Sequence, residues 1–248
     1  METDEFSASL GRSVRLLRDF RHEQDDPDRF YGALAADSAA QVASLALLAG
    51  ARLLDVGGGP GYFQDAFEAR GAWYVALDAD AGELALHGRA PGPRTVLGDG
   101  LALPFADGAF DIAYSSNVAE HVPDPWRMAD EMVRVTRPGG LIFLSYTLWY
   151  GPWGGHETSP WHWTGGHRAA ARYRRRTGHD PKNLFGTSLF RVTAGAADRW
   201  ATARARSGRI HDVRLLPRYL PSWAAPVARV PVLREVACWN LVVVGRRS

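Results

Sequence analysis

The stretch Leu53-Leu-Asp-Val-Gly-Gly-Gly-Pro-Gly-Tyr62 decides the fold. Arg52 to Val56 is a short apolar run of strand character, and glycines at 57, 59 and 61 follow it at once. Beyond them Phe63, Ala66 and Phe67 recur at helical spacing, so a helix is expected over Tyr62 to Arg70, ended by Gly71. Strand, glycine turn and helix in that order start a parallel α/β layer. The missing Cβ atoms let the chain turn sharply and let a ligand approach the backbone. Two phosphate-binding patterns are excluded. A dinucleotide fingerprint needs its third glycine at position 62, which is Tyr62, and no Gly-Lys-Ser/Thr follows for a P-loop.

The alternation continues outward. Trp73 to Leu77 reads as a second strand ending at Asp78, with a helix expected over Ala81–Arg89 and a third strand at Thr95–Leu97. Phe110–Tyr114 and Gly140–Tyr146 are the fourth and fifth strands, and Pro125–Val135 is a helix with Met128, Met132 and Val135 on its apolar face. Repeated strand and helix predict a doubly wound parallel sheet. Upstream, residues 1–32 are polar apart from an amphipathic turn at Ser13–Phe20, and a helix is expected over Leu34–Leu48 with Gly50 as its stop. Downstream, Val192–Arg204 reads as a helix, and Ile210–Leu216 with Val236–Val244 as a closing strand pair.

Three carboxylates fall at successive strand ends: Asp55, Asp78 and Asp99. A carboxylate at the end of a buried strand is costly unless paired or facing a polar ligand. Asp78 stands where such a group accepts both hydroxyls of a ribose, and Asp99 where one accepts from an adenine amino group. Open α/β sheets bind ligands in the crevice along these strand ends.

Composition narrows the rest. The 248 residues, 46% hydrophobic and 23% charged, fit a globular chain that buries a real core as one domain. One cysteine, Cys238, excludes a disulfide framework and a cysteine-cluster zinc site, and with no secretory signal it gives a cytoplasmic expectation. The formal charge of +2 hides an asymmetry: residues 1–150 carry 12 arginines against 22 carboxylates, a net −10, and residues 151–248 carry 17 basic groups against 5 carboxylates, a net +12. A basic half suits nucleic acid, anionic lipid or an acidic small molecule, or simply attracts the acidic half.

The ordered set Leu54-Asp55-Val-Gly57-Gly-Gly59-Pro-Gly61, Ala-Leu77-Asp78-Ala-Asp80, Gly98-Asp99-Gly100-Leu101 through Phe110-Asp111, Asn117-Val-Ala-Glu120-His121-Val and Arg134-Val-Thr-Arg-Pro138-Gly-Gly140 resembles the class I S-adenosylmethionine-dependent methyltransferases of the small-molecule type 11 group. The resemblance implies a Rossmann-like, seven-stranded, mostly parallel sheet with helices on both faces, its last two strands an antiparallel hairpin. It implies S-adenosylmethionine as cofactor. Gly57, Gly59 and Gly61 would lie at its methionine part, Asp78 at the ribose, Asp99 and the Leu101 backbone at the adenine, and Asn117 near the sulfonium, with Asp55 and Gly100 also among the cofactor-binding residues. A carboxylate-lined crevice suits that cation. Gly58 departs from the family, which often has a larger residue there, and is expected to leave binding unharmed. The organisation expected is a helical cap (1–50), the cofactor core (51–147), a substrate lid with a helix (148–205) and the strand pair (206–248).

O-methylation of a small-molecule, sugar or lipid acceptor is the expected activity. Histidine is the natural base for a hydroxyl, and His121 lies just past the fourth strand. The insertion adds His156, His162 and His167 among Trp149, Trp153, Trp161 and Trp163, an enrichment that reads either as a lid stacking on a sugar or aromatic acceptor or as a satellite core. His156, Glu157, His162 and His167 match no zinc spacing, so no metal is expected. Arg172-Tyr-Arg-Arg-Arg176 is a solvated helix face or an anion site. The apolar, proline-broken run 219–233 is a connection or a peripheral membrane patch. A nucleic-acid methyltransferase using the basic half is the alternative. It lacks the Asp/Asn-Pro-Pro-aromatic motif, since Ser116-Asn117-Val118 stands there, and a Pro-Cys nucleophile. A non-catalytic binding module is the third reading.

Overall fold

A computed structural model describes residues 6–22, 25–84 and 93–248. The strands are β1 (Arg52–Val56), β2 (Trp73–Asp78), β3 (Thr95–Leu97), β4 (Phe110–Ser116), β5 (Thr136–Thr147), β6 (Ile210–Pro217) and β7 (Asn240–Arg247). They form one seven-stranded sheet in the order β3-β2-β1-β4-β5-β7-β6. β1 to β5 run parallel, and β7 lies antiparallel between β5 and β6. The first four strands therefore share one carboxyl edge, the edge at which Gly57, Asp78, Asp99 and Asn117 leave the sheet.

Two apolar layers cover the sheet, as its buried strands require. Against one face lie α5 (Pro125–Val135) and α7 (Ala194–Arg206), with Met128, Met132, Ala197 and Trp200 packed on Leu54, Val56 and Leu144. Against the other lie α2 (Pro27–Ala43) and α3 (Gln64–Glu68), with Ala39, Val42 and Phe67 packed on Leu53, Tyr74 and Phe143. α5 keeps its expected bounds because Asp124 accepts from the Arg127 amide at 3.1 Å and Pro125 takes the first helical position. The same device starts α2 at Pro27, capped by Asp26, ahead of the expected Leu34. α2 ends at Ala43, and Gly50 instead turns the chain into β1, its amide bonded to Gly71 O at 2.8 Å. The helix expected over Ala81–Arg89 begins as α4 (Ala81–Leu84), and its remainder lies outside the described residues.

The last strand of the hairpin differs in extent from the expectation. Val236 belongs to a short helix, α8 (Leu233–Ala237), and not to β7. The cause is Glu235, whose carboxylate accepts the Ala194 and Gly195 amides at 2.9 and 2.7 Å and so caps α7. β5 reaches back to Thr136, which pairs with Phe110 across a bulge.

The two N-terminal helices, α1 (Leu10–Phe20) and α2, close over the carboxyl edge. Arg12 pairs with Asp37 at 2.6 Å in a buried position and donates to Arg218 O at 2.8 Å. Tyr31 of α2 stacks on Tyr62 of the glycine turn with centroids 4.8 Å apart, and Phe20 of α1 meets Trp153 of the β5–β6 connection at 5.5 Å. Between β5 and β6 the chain makes short 3-10 turns at His156–Thr158 and Trp161–Thr164, then α6 (Gly166–Thr177) and α7. Among the described residues no helix is long and apolar enough to cross a membrane.

Candidate functional site

The glycine turn needs its glycines for different reasons. Gly57, Gly59 and Gly61 have φ of +81°, +50° and +81°, where a side chain is strained. A Cβ on Gly57 would also stand 2.3 Å from Val118 Cγ2, so the turn packs on the segment after β4. A Cβ on Gly59 would meet nothing within 4 Å, so at this point bare backbone faces open space. The Gly59 amide donates to Asp78 Oδ2 at 3.0 Å, and the Asp80 amide to Asp78 Oδ1 at 3.0 Å. Asp78 thus braces the loop from the end of β2 while its half-buried carboxylate keeps further acceptor capacity. An open glycine cradle beside a carboxylate fits a cationic, hydroxyl-bearing ligand such as S-adenosylmethionine.

Asp55 does not join that lining, which corrects the expectation of three carboxylates facing one crevice. It is 1% exposed, and Tyr74 Oη donates to its Oδ2 at 2.5 Å. Burial pushes its pKa up to about 7, with the Tyr74 bond working in the opposite sense and Asp78 adding to the rise. Asp55 supports the loop from beneath. Gly58 lies over this pair: a Cβ there would come to 3.0 Å from Ala76 Cβ and 3.2 Å from Tyr74 Oη. In this chain the small residue is a packing requirement, so the larger residue frequent in the family would crowd the Asp55–Tyr74 pair.

The remaining expected cofactor residues sit along the same edge. Exposed Asp99 accepts the Leu101 amide at 2.8 Å, and Gly100 packs so closely that a Cβ would lie 3.4 Å from Val56 Cγ1 and Met128 Cγ. Asn117 ends β4 with φ +57°, its amide bonded to Ser145 O at 2.9 Å and its Oδ1 accepting from Asn240 Nδ2 at 2.6 Å. Such a strained non-glycine residue is held by its neighbours, here β5 and β7.

The histidines part company. His121 ends the 3-10 turn Ala119–His121, and its Nδ1 lies 2.7 Å from Ser188 O, a carbonyl that can only accept. His156, at φ +48°, brings its ring to 5.0 Å from that of His121. Burial pulls the His156 pKa down to about 4, so its imidazole is neutral. His162 is 0% exposed, edge-on to Trp149 at 5.3 Å, and burial again lowers its pKa. Gly155 makes room for it, since a Cβ there would stand 2.4 Å from the imidazole. No acceptor reaches a sealed ring, so His162 is a core residue and not the expected base. His167 is exposed on α6 against Phe185 at 5.0 Å, apart from the pair His121–His156.

The tryptophans likewise form no single platform. Trp149 is buried between His162 and Phe185, which fits the satellite-core reading. Trp153 packs on Phe20 and Trp239, Trp161 lies beneath the Arg172 guanidinium at 3.9 Å, and Trp163 is 54% exposed.

Two buried charged groups escaped the sequence reading. Glu120, 1% exposed, accepts the Thr147 amide at 2.9 Å through Oε1, and its Oε2 is buried without a partner. Its ligating oxygen and one ring nitrogen each of His121 and His156 lie within 4.8 Å of one another. Among the described residues His156, Glu157, His162 and His167, from whose spacing no metal is expected, do not converge as a set; His156 joins Glu120 and His121 instead. The second group is Arg218, fully buried, which donates to Ser116, Ser145 and Ser38 hydroxyls at 2.6–2.7 Å and so ties the ends of β4 and β5 to α2. Glu120 sat in plain view beside His121, whereas nothing local marks Arg218.

Comparison with known proteins agrees with this geometry. Residues 54–144 match the family model of the type 11 methyltransferase domain. A methyltransferase of Mycobacterium marinum is 53% identical, the match covering 98% of this chain and 97% of the relative, and one of Mycobacterium tuberculosis is 51% identical over 98% of both. Among solved structures, an S-adenosylmethionine-dependent methyltransferase from Mesorhizobium loti superposes with a TM-score of 0.55 at 24% identity, covering 86% of this chain and 98% of that one. A Haloferax volcanii methyltransferase complex with its Trm112 activator gives 0.54 at 18% identity, covering 94% of both. Identity over nearly the whole length, with the seven-strand order and the glycine cradle, leads to one conclusion: the chain belongs to the class I S-adenosylmethionine-dependent methyltransferases, type 11 group.

Proposed function

We propose that this methyltransferase acts on a hydroxyl of a small-molecule, sugar or lipid acceptor. The observation that carries the reading is the imidazole pair His121–His156, set four residues beyond Asn117 in the one case and delivered by the β5–β6 connection in the other. Bound S-adenosylmethionine supplies an electrophilic methyl group on a positively charged sulfur. The chain's own task is to hold the partners in line, worth roughly 7–11 kcal/mol when the geometry is close to attack, and to manage the acceptor's proton.

On this reading Gly57, Gly59 and Gly61 give backbone to the methionine part, and Asp78 turns its spare acceptor capacity to the ribose hydroxyls. Asp99, Gly100 and Leu101 frame the adenine, and Asn117 lies toward the sulfonium. Asp55 acts through the loop it supports. Neutral His156 and the Ser188-oriented His121 face the acceptor side, and the insertion with exposed Trp153, Trp161 and Trp163 serves as the lid. The exposed apolar residues Trp223, Val230, Val232 and Leu233, in the segment that also meets the N-terminus through the Ser222 amide and Ala8 O at 2.6 Å, support an acceptor with an apolar part, presented from a membrane surface or a micelle.

The test is a screen for labelled methyl transfer across metabolite, sugar and lipid fractions, joined to thermal denaturation with adenosylhomocysteine. Product labelled on oxygen and a raised melting temperature are expected. Asp78→Ala should weaken adenosylhomocysteine by about 2–3 kcal/mol, the worth of hydrogen bonds to a charged group, or roughly thirty- to over a hundredfold. Label found only on nitrogen, carbon or nucleic acid would overturn the acceptor assignment.

A further inference from the structure

We propose that Glu120, His121 and His156 form a binding site for a divalent transition-metal ion of the zinc type. The three ligand atoms come from two distant stretches, the turn after β4 and the insertion, yet lie within 4.8 Å of one another. Ligands 2.0–2.2 Å from a tetrahedral ion stand about 3.4 Å apart, so closure onto an ion needs side-chain adjustments on the order of 1 Å.

Two atoms of the cluster are left unsatisfied by the described residues. Glu120 Oε2 and His156 Nε2 are both inaccessible, and neither has a hydrogen-bond partner among the described residues. Buried polar atoms are satisfied in nearly all folded proteins, and an unpaired carboxylate oxygen in a buried position is especially unfavourable. A direct Glu120–imidazole hydrogen bond would answer that need, but neither ring reaches Oε2.

The supporting shell is already built. Glu120 Oε1 is fixed by the Thr147 amide at 2.9 Å, so the carboxylate cannot swing away from the rings. Ser188 O accepts from His121 Nδ1 at 2.7 Å, which places the proton on Nδ1 and leaves the Nε2 lone pair free. A ligating histidine whose other nitrogen donates to a carbonyl is the usual outer-shell arrangement of metal sites. The insertion contributes Ser188 and His156, and the Phe190 amide bonds Glu120 O at 2.7 Å, so an ion here would pin the insertion to the sheet edge.

Two imidazoles and one carboxylate select a borderline ion such as zinc, cobalt or ferrous iron over magnesium or calcium. Three protein ligands also leave a coordination position open. The role of that position rests on the acceptor chemistry proposed above, whereas binding of the ion does not. An acceptor hydroxyl bound there becomes more acidic. Its proton goes to water and the electron pair stays on oxygen. Proton handling would then run through an ion held by the same imidazole pair that carries the proposed function.

The experiment uses the full chain stripped with a chelator and titrated with cobalt, read by visible absorption, and with zinc, read by thermal denaturation. Visible cobalt bands and a zinc-raised melting temperature are expected, with affinity at least tenfold weaker in Glu120→Gln and in His156→Asn. Asn tolerates the positive φ of residue 156, so the second variant carries the test if the first fails to fold. Absence of binding by the parent chain, or equal binding by the variants, overturns the site. An adenosylhomocysteine shift retained in both variants confirms that the cofactor crevice is intact. Loss of that shift in the parent with zinc binding retained would refute the methyltransferase site assignment and leave the metal site standing.

Discussion

The glycine turn and the segment after β4 each rest on a carboxylate that is 1% exposed, and the two are held in opposite ways. Asp55 has a donor of its own: the Tyr74 hydroxyl closes on it at 2.5 Å, and burial lifts its pKa to about 7. Glu120 spends one oxygen on the Thr147 amide and keeps the other without a hydrogen bond among the described residues, with a carboxylate oxygen within 4.8 Å of nitrogens of two imidazoles. Burial alone therefore says little about the role of a carboxylate. One that is satisfied within the fold is a strut, and Asp55 supports the glycine turn above it. One held in place with an oxygen to spare is set to take a ligand, which is the use we propose for Glu120.

That contrast can be broken at three points. The largest effect is expected for Gly57→Ala, where a left-handed backbone and a Cβ 2.3 Å from Val118 act together. Stability should fall by about 2–5 kcal/mol, from the left-handed penalty and overpacking combined, as measured by denaturant unfolding. An unchanged midpoint would mean that the turn slides freely past the segment after β4, and the two regions would not be coupled.

Next comes Asp55→Asn. The folded pKa of about 7 lies above the unfolded value of 3.8, so the contribution of Asp55 to stability is complete below about pH 4 and is lost as pH rises through 7. The stability of the parent chain relative to the Asn variant should fall by about 2–3 kcal/mol between pH 5 and pH 8. A flat difference across that range would show Asp55 to be ionised and open to solvent, and the contrast with Glu120 would vanish. The smallest effect is expected for His167→Ala, on the exposed face of α6. Stability should stay within about 0.5 kcal/mol and methyl transfer should be unchanged. A tenfold loss of turnover would bring the outer histidine back into the site.

The acidic half was legible because its signals are local. The run from Leu53 to Tyr62 needs only neighbouring residues to specify a strand, a turn with positive φ and a helix, and Asp124-Pro125 starts α5 with no help from elsewhere. The insertion was legible only as an enrichment. Three histidines within it look alike in sequence, but His156 joins His121, His162 fills space left by Gly155, and His167 faces outward. The start of β7 was misplaced for the same reason: Val236 reads as strand until Glu235 is seen capping a helix forty residues away in the chain.

Sequence alone determined the parallel sheet, the crevice along its edge and the carboxylate at the end of β2, since hydrophobic period and glycine placement act over a few residues. Tertiary structure decided which carboxylate stays open at the sheet edge and which is buried under Tyr74, and it brought Glu120, His121 and His156 together. Burial and pairing depend on residues far apart in the chain, and a side chain's chemistry is fixed only when its neighbours are in place.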